Sequence, residues 1–125
     1  MTQRTLNRRR LSGEASRRRI EGLLEAVGMQ RRADERVAEL SAGMRQRLAI
    51  CRSVLHEPGL LLLDEPDSNL DAESRELARA LIGPEAGRTR VLVTHDPERY
   101  AGEADRTLRL RIGAEAELVP AGGAA

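Results

Sequence analysis

Apolar positions recur along the chain with two different periods, and the change from one to the other marks its elements. From Arg17 the stretch "RRRIEGLLEAVGM" puts Ile20, Leu23, Leu24 and Val27 on one face, which predicts an amphipathic helix stopped at Gly28. A polar stretch, "QRRADERVAE", follows. In "LSAGMRQRLAICRSVLHEPG" the residues Leu48, Cys51 and Leu55 return at helical spacing, so a second helix should start near Ser41 and close at Pro58-Gly59. "LLLLD" does not alternate; it reads as a short strand apolar on both faces, of the kind found in a parallel sheet covered by helices. "DAESRELARALIG" predicts a third helix, capped by Asp71, with Leu77, Ala80 and Leu81 along one side. "RVLVTHD" reads as a second buried strand, and a strand, a helix and a strand of these lengths predict a right-handed parallel crossover. "RTLRLRIG" and "AELVP" read as two last strands turning at Gly113. The first nineteen residues are basic, polar and aperiodic, a solvated arm leading into the first helix, and the tail "AGGAA" is expected to be disordered.

Composition narrows the classes. A chain of 125 residues with 40% hydrophobic content can bury one modest core, and suits one domain or part of a larger one. The 21 basic and 20 acidic residues nearly cancel, so no global field argues for nucleic acid. Every basic residue is arginine; there is no lysine. The lone Cys51 excludes an internal disulfide and a cysteine-based zinc cluster, and fits a reducing cytosol. No apolar run is long enough to span a bilayer, and no apolar signal core follows Met1, so a cytoplasmic protein is expected. Seven arginines precede Ile20 with Glu14 as the only acid, which raises a competing reading as an Arg-rich nucleic-acid-binding module. The balanced charge and a single aromatic, Tyr100, favour the exposed face of a helical subdomain instead.

Candidate chemistry gathers where the first strand ends. Ligands of parallel α/β sheets collect outside the carboxyl ends of the strands, and Asp64 and Glu65 are placed there. Two adjacent carboxylates suit a division of labour, one holding a magnesium ion and the other orienting and polarising a water. Leu40-Ser41-Ala42-Gly43-Met44 opens a helix with small residues, so backbone N–H groups and the Ser41 hydroxyl can approach an anion; Ser41 also suits a plain N-cap. His95 follows "VLVT", which should carry its imidazole to the same sheet edge as Glu65.

Together, and in this order, these elements resemble the nucleotide-binding domain of ATP-binding-cassette (ABC) transporters. "LSAGM" is similar to the family's signature motif, "LLLLDEP" to its Walker B strand and catalytic glutamate, "SNLD" to its D-loop, and "VTHD" to its switch histidine, over Leu40 to Asp96. The resemblance implies that Asp64 holds Mg²⁺, Glu65 activates the hydrolytic water, and His95 contacts the γ-phosphate of ATP. It implies that Ser41, Ala42, Gly43 and Met44 act in trans on a nucleotide held by a second ABC ATPase domain, identical or not, with Asp71 at the interface between the two. It also implies a transmembrane permease partner and a peripheral place on the inner face of the membrane. Ala42 and Met44 depart mildly from the more frequent glycine and glutamine. The absence of lysine is the larger departure, because the Walker A cradle G-x-x-x-x-G-K-[ST] requires one. No adenine-stacking aromatic lies upstream either.

The resemblance is therefore to the carboxyl-terminal half of such a domain. The expected fold is a partial P-loop NTPase of the α/β class, a parallel sheet core with flanking helices and an N-terminal helical-subdomain remnant. Residues 1–39 would form the basic arm and that remnant, 40–112 the motif-bearing part, and 113–125 a last strand and tail. The chain alone is expected to be inactive towards ATP; an alternative is a non-catalytic half-domain that pairs with an intact ABC ATPase. The wording of residues 60–81 looks most like the haem-exporter branch, with drug efflux ATPases close behind.

Overall fold

The computed structural model describes residues 13–120, and the chain divides into two compact units, the first ending at Val93. The arginines at 4, 8, 9 and 10 and the "AGGAA" tail lie outside the described residues.

Helix α1 of the first unit spans Gly13–Ala26. It starts four residues before the apolar periodicity does, because "GEAS" is compatible with helix and Glu14 pairs with Arg18 one turn on. Its buried face is narrower than the periodicity predicts: Leu23, Leu24 and the following Val27 are buried, whereas Ile20 is 43% exposed. Gly28 ends it at a φ of +69°, the left-handed position that favours glycine. After short 3₁₀ turns at Gln30–Arg32 and Val37–Glu39 comes helix α2, Ala42–Val54. Its N-cap is Ser41, whose Oγ accepts the Met44 N–H at 3.2 Å. The far end of α2 is closed by Arg19, which donates to the Leu55 carbonyl at 2.9 Å and the Val54 carbonyl at 3.2 Å and pairs with Glu57 at 3.2 Å. A cation there satisfies orphan carbonyls and complements the helix dipole. Arg19, counted above among possible phosphate ligands, thus has an internal duty.

Strand β1, Leu60–Asp64, pairs in parallel with β2, Thr89–Val93, with Leu62 opposite Val91 and Asp64 opposite Val93. Helix α3, Ala72–Ile82, connects them, so the expected parallel crossover is present. Asp71 caps α3 by accepting the Ser74 N–H at 2.7 Å, and Arg88 and Arg90 donate to the Leu81 and Ile82 carbonyls at its other end. Ser74, Ala78 and Ile82 form the buried stripe; Leu77 and Leu81 are half-buried and Ala80 is exposed. The core-facing stripe is thus turned from the predicted one towards small residues, which admit close packing.

The expectation that both strands are buried on two faces is corrected. Leu61 and Leu63 join the core made by α1, α2 and α3, while Leu60, Leu62, Val91 and Val93 are exposed. One layer of helices covers one face of the two strands, and the described residues supply no layer for the other. Cys51 lies inside the core, and burial pushes its thiol up to about 11, so it stays protonated and unreactive at neutral pH.

The second unit holds a 3₁₀ turn at Pro97–Tyr100 and strands β3, Arg106–Arg109, and β4, Glu117–Pro120. They pair antiparallel with Leu108 opposite Leu118, and Gly113, at a φ of +74°, lies in the connection, as the sequence predicts. None of its described side chains is buried.

Candidate functional site

The carboxyl end of β1 delivers Asp64, which is exposed, and Glu65, which is half-buried. The Glu65 N–H donates to the Val93 carbonyl at 2.9 Å, extending the ladder one residue beyond the strand. Glu65 then leaves the strand at a φ of +45°. The left-handed region is costly for a residue with a Cβ, and strain of this kind concentrates at functional positions. Two other non-glycine residues share it. Glu57 follows the end of α2, where left-handed residues are common, but Asn69, at +62°, lies in the same loop as Glu65.

Internal bonds shape that loop. The Ser68 N–H donates to the Glu65 carbonyl and the Leu70 N–H to the Asp67 carbonyl, each at 3.1 Å. Pro66 and Leu70 are buried, and Arg75 donates to the Leu70 carbonyl at 3.2 Å. Asp71 then starts α3. The Ser74 backbone N–H, with help from its hydroxyl and from the charges of Arg47 and Arg75, holds the Asp71 carboxyl below the usual carboxylate range. A depressed folded value means that the cap's contribution is present above the unfolded pKa of about 3.9 and lost as pH falls through the folded value. Acid titration followed by circular dichroism should therefore show Asp71→Asn, which keeps the acceptor without the charge, losing less stability than the unsubstituted chain in that window.

Residues 41–44 lie beside this loop. Ser41 and Ala42 are exposed and Gly43 and Met44 half-buried at the start of α2. A Cβ on Gly43 would stand 2.8 Å from the Asn69 carbonyl oxygen, closer than real side chains come, so glycine is required by the approach of the loop. One turn further on, Gln46 donates its side-chain N–H to the Pro66 carbonyl at 2.8 Å. Sequence reasoning passed over Gln46, because a polar residue on an amphipathic helix gives no periodic sign that it faces a loop and not water.

The structure therefore brings residues 41–46 and 64–71 together within the first unit. His95 belongs to the second unit, exposed in the turn after β2, where the Asp96 N–H donates to Thr94 Oγ1 at 3.0 Å and Asp96 pairs with Arg99. No group of three or more metal-ligating side chains occurs among the described residues. Asp64 fits the single-carboxylate manner in which Mg²⁺ is held when water and phosphate oxygens complete its shell. No helix among the described residues is long and apolar enough to cross a membrane.

A parallel β–α–β unit with two acids at the strand end, facing the start of a neighbouring helix, defines a partial P-loop NTPase fold. The solved dimeric structure of a bacterial ABC transporter cassette superposes with a TM-score of 0.76 at 31% identity, over 94% of this chain and 52% of that one. An ATP-binding subunit of an ABC transporter gives 0.69 at 28% identity, over 78% and 42%. The family model described as "ABC transporter" matches residues 1–68, and the chain belongs to that family, within its ATP-binding domain.

Among curated relatives, the macrolide export ATP-binding/permease protein MacB of Rhodopirellula baltica is 47% identical over 100 residues, 78% of this chain and 14% of that protein. The aliphatic sulfonates import ATP-binding protein SsuB of Escherichia coli K12 is 47% identical over 72% of this chain and 36% of its own. The lipoprotein-releasing system ATP-binding protein LolD of Shewanella oneidensis is 46% identical over 73% and 40%. The chain thus spans well under half the length of these relatives. Their names carry three different cargoes, and none supports the haem-exporter resemblance.

Proposed function

We propose that this chain is the signature, Walker B and D-loop portion of an ABC transporter's ATP-binding subunit, working where ATP hydrolysis drives membrane transport. The observation that carries the reading is Glu65: an acidic residue whose backbone is tied to the end of a parallel strand, next to Asp64, and takes the left-handed conformation there. In this role Glu65 accepts a proton from the attacking water. Asp64 holds Mg²⁺, which when bound neutralises charge on the phosphate oxygens. His95 contacts the γ-phosphate. Ser41, Ala42, Gly43 and Met44 contact the phosphate of a nucleotide held by a second ATPase domain, against which Asp71 also packs. A permease subunit holds the assembly on the cytoplasmic face of the membrane and selects the cargo.

These 125 residues contain no lysine and so no phosphate cradle of the G-x-x-x-x-G-K-[ST] form. By themselves they should not bind ATP with useful affinity. Titration with a fluorescent ATP analogue should give no saturable signal below about millimolar for the chain alone. Covalent joining to a cradle-bearing segment of an ABC ATPase should bring saturation into the micromolar range. Tight binding by the chain alone would refute the reading.

The other reading, a half-domain that only pairs with an intact ABC ATPase, uses Ser41 and Gly43 but leaves Glu65 idle. The strained, internally braced geometry at Glu65 favours the catalytic reading.

A further inference from the structure

Four facts place helix α2 and the loop after β1 in one mechanical unit. Gln46 donates to the Pro66 carbonyl at 2.8 Å, one peptide beyond Glu65. The Cα of Gly43 lies so close to the Asn69 carbonyl that a Cβ would come within 2.8 Å of its oxygen. Glu65 and Asn69 are the loop's two left-handed residues. Between them the Ser68-to-Glu65 and Leu70-to-Asp67 bonds tie the loop to itself.

We propose that Gln46 is a positioning residue for Glu65: with Gly43 it fastens loop 65–70 to α2, so that the helix start and the Glu65 carboxylate move together. The amide of Gln46 suits this task because it reaches past the first turn of α2 and offers an N–H to a carbonyl that, in a loop, has no ladder partner. Proline at 66 has no N–H of its own, so its carbonyl is the backbone polar group by which that residue can be held. Helix α2 meets the loop at two points, through the Gln46 hydrogen bond near Glu65 and through the close approach of Gly43 to Asn69 near Asp71. A displacement at residues 41–44 reaches Glu65 through those contacts. This rests on the reading of Glu65 as the base and adds to it a means of regulating that base from the signature end.

The first measurement is backbone amide exchange, residue by residue, in the full chain without nucleotide, so that the clamp is read apart from catalysis. Gln46→Leu keeps the aliphatic stem and removes the donor; it should lower the protection of Ser68 and Leu70 by roughly tenfold, the scale of one lost hydrogen bond. Protection at Ile50 and Val54, inside α2, should stay within about twofold. Gln46→Lys, which returns an N–H donor, should recover most of the loss. Gly43→Ala should disturb Asn69 and Leu70 with Gln46 intact. Loop protection unchanged in Gln46→Leu, or a uniform fall at every amide, would overturn the proposal. So would uniformly fast exchange in the unsubstituted chain, because α2 would then hold no loop. In the chain joined to a cradle-bearing segment, Gln46→Leu should also lower kcat severalfold with KM within about twofold, and loop protection that falls while kcat stays unchanged would overturn the positioning of Glu65; turnover of Glu65→Gln in the same joined chain tests the catalytic reading separately.

Discussion

Glu65→Gln should reduce ATP turnover by about 10²- to 10⁴-fold once the chain is joined to a segment that binds the phosphates, the range a positioned general base contributes. The substitution keeps size and hydrogen-bonding reach but leaves no group that takes up a proton at neutral pH. KM should move little, because Glu65 acts on the water and not on the bound nucleotide. The magnitude depends on the left-handed backbone at Glu65, since a base must lie within hydrogen-bond reach of the water it activates. Steady-state phosphate release over a range of ATP concentrations separates kcat from KM. A fall in KM-limited rate alone, with kcat preserved, would move Glu65 from chemistry to binding.

The second large effect is on stability. Leu61→Ala should cost about 2–5 kcal/mol in urea unfolding, a large part of the roughly 5–15 kcal/mol that holds a domain folded. Leu62→Ser, its neighbour in the same strand, should stay within about 0.5 kcal/mol. Leu61 is 3% exposed and packs into the core shared by the three helices, whereas Leu62 is 70% exposed on the bare face of β1. Deleting Leu61 removes apolar area and leaves a cavity; altering Leu62 in this chain does neither. Equal costs at the two positions would mean that the outer face is covered when the chain is folded in solution, as by a second copy.

The contrast between those two leucines also shows where sequence reading reaches its end. Four consecutive leucines predict a strand correctly, because a run that short, bounded by Pro58-Gly59 on one side and Asp64-Glu65-Pro66 on the other, has the length of a strand and not of a buried helix. They do not say how many faces the surroundings cover. In α3 the pattern predicts the helix and its Asp71 cap but misplaces the buried stripe. Leucines dominate any count of hydrophobicity, while the buried stripe of α3 is made of Ser74, Ala78 and Ile82. Asp64 and Glu65 are legible as a candidate site because adjacent charges at the end of an apolar strand need a reason. Gly43 is legible as one of the small residues that open α2, though the contact that requires glycine there, the Asn69 carbonyl, belongs to a loop more than twenty residues away. Gln46 was not legible at all, since its meaning comes from Pro66 across the fold.

On this reading the 125 residues carry the water-activating chemistry of an ABC ATPase and not its phosphate cradle. The deciding measurement is phosphate release, first from the chain alone and then from the chain covalently joined to a G-x-x-x-x-G-K-[ST]-bearing segment. The chain alone should give no release above background, and the joined chain should turn over ATP in a way that Glu65→Gln abolishes. Release by the chain alone that disappears with Glu65→Gln would contradict that reading.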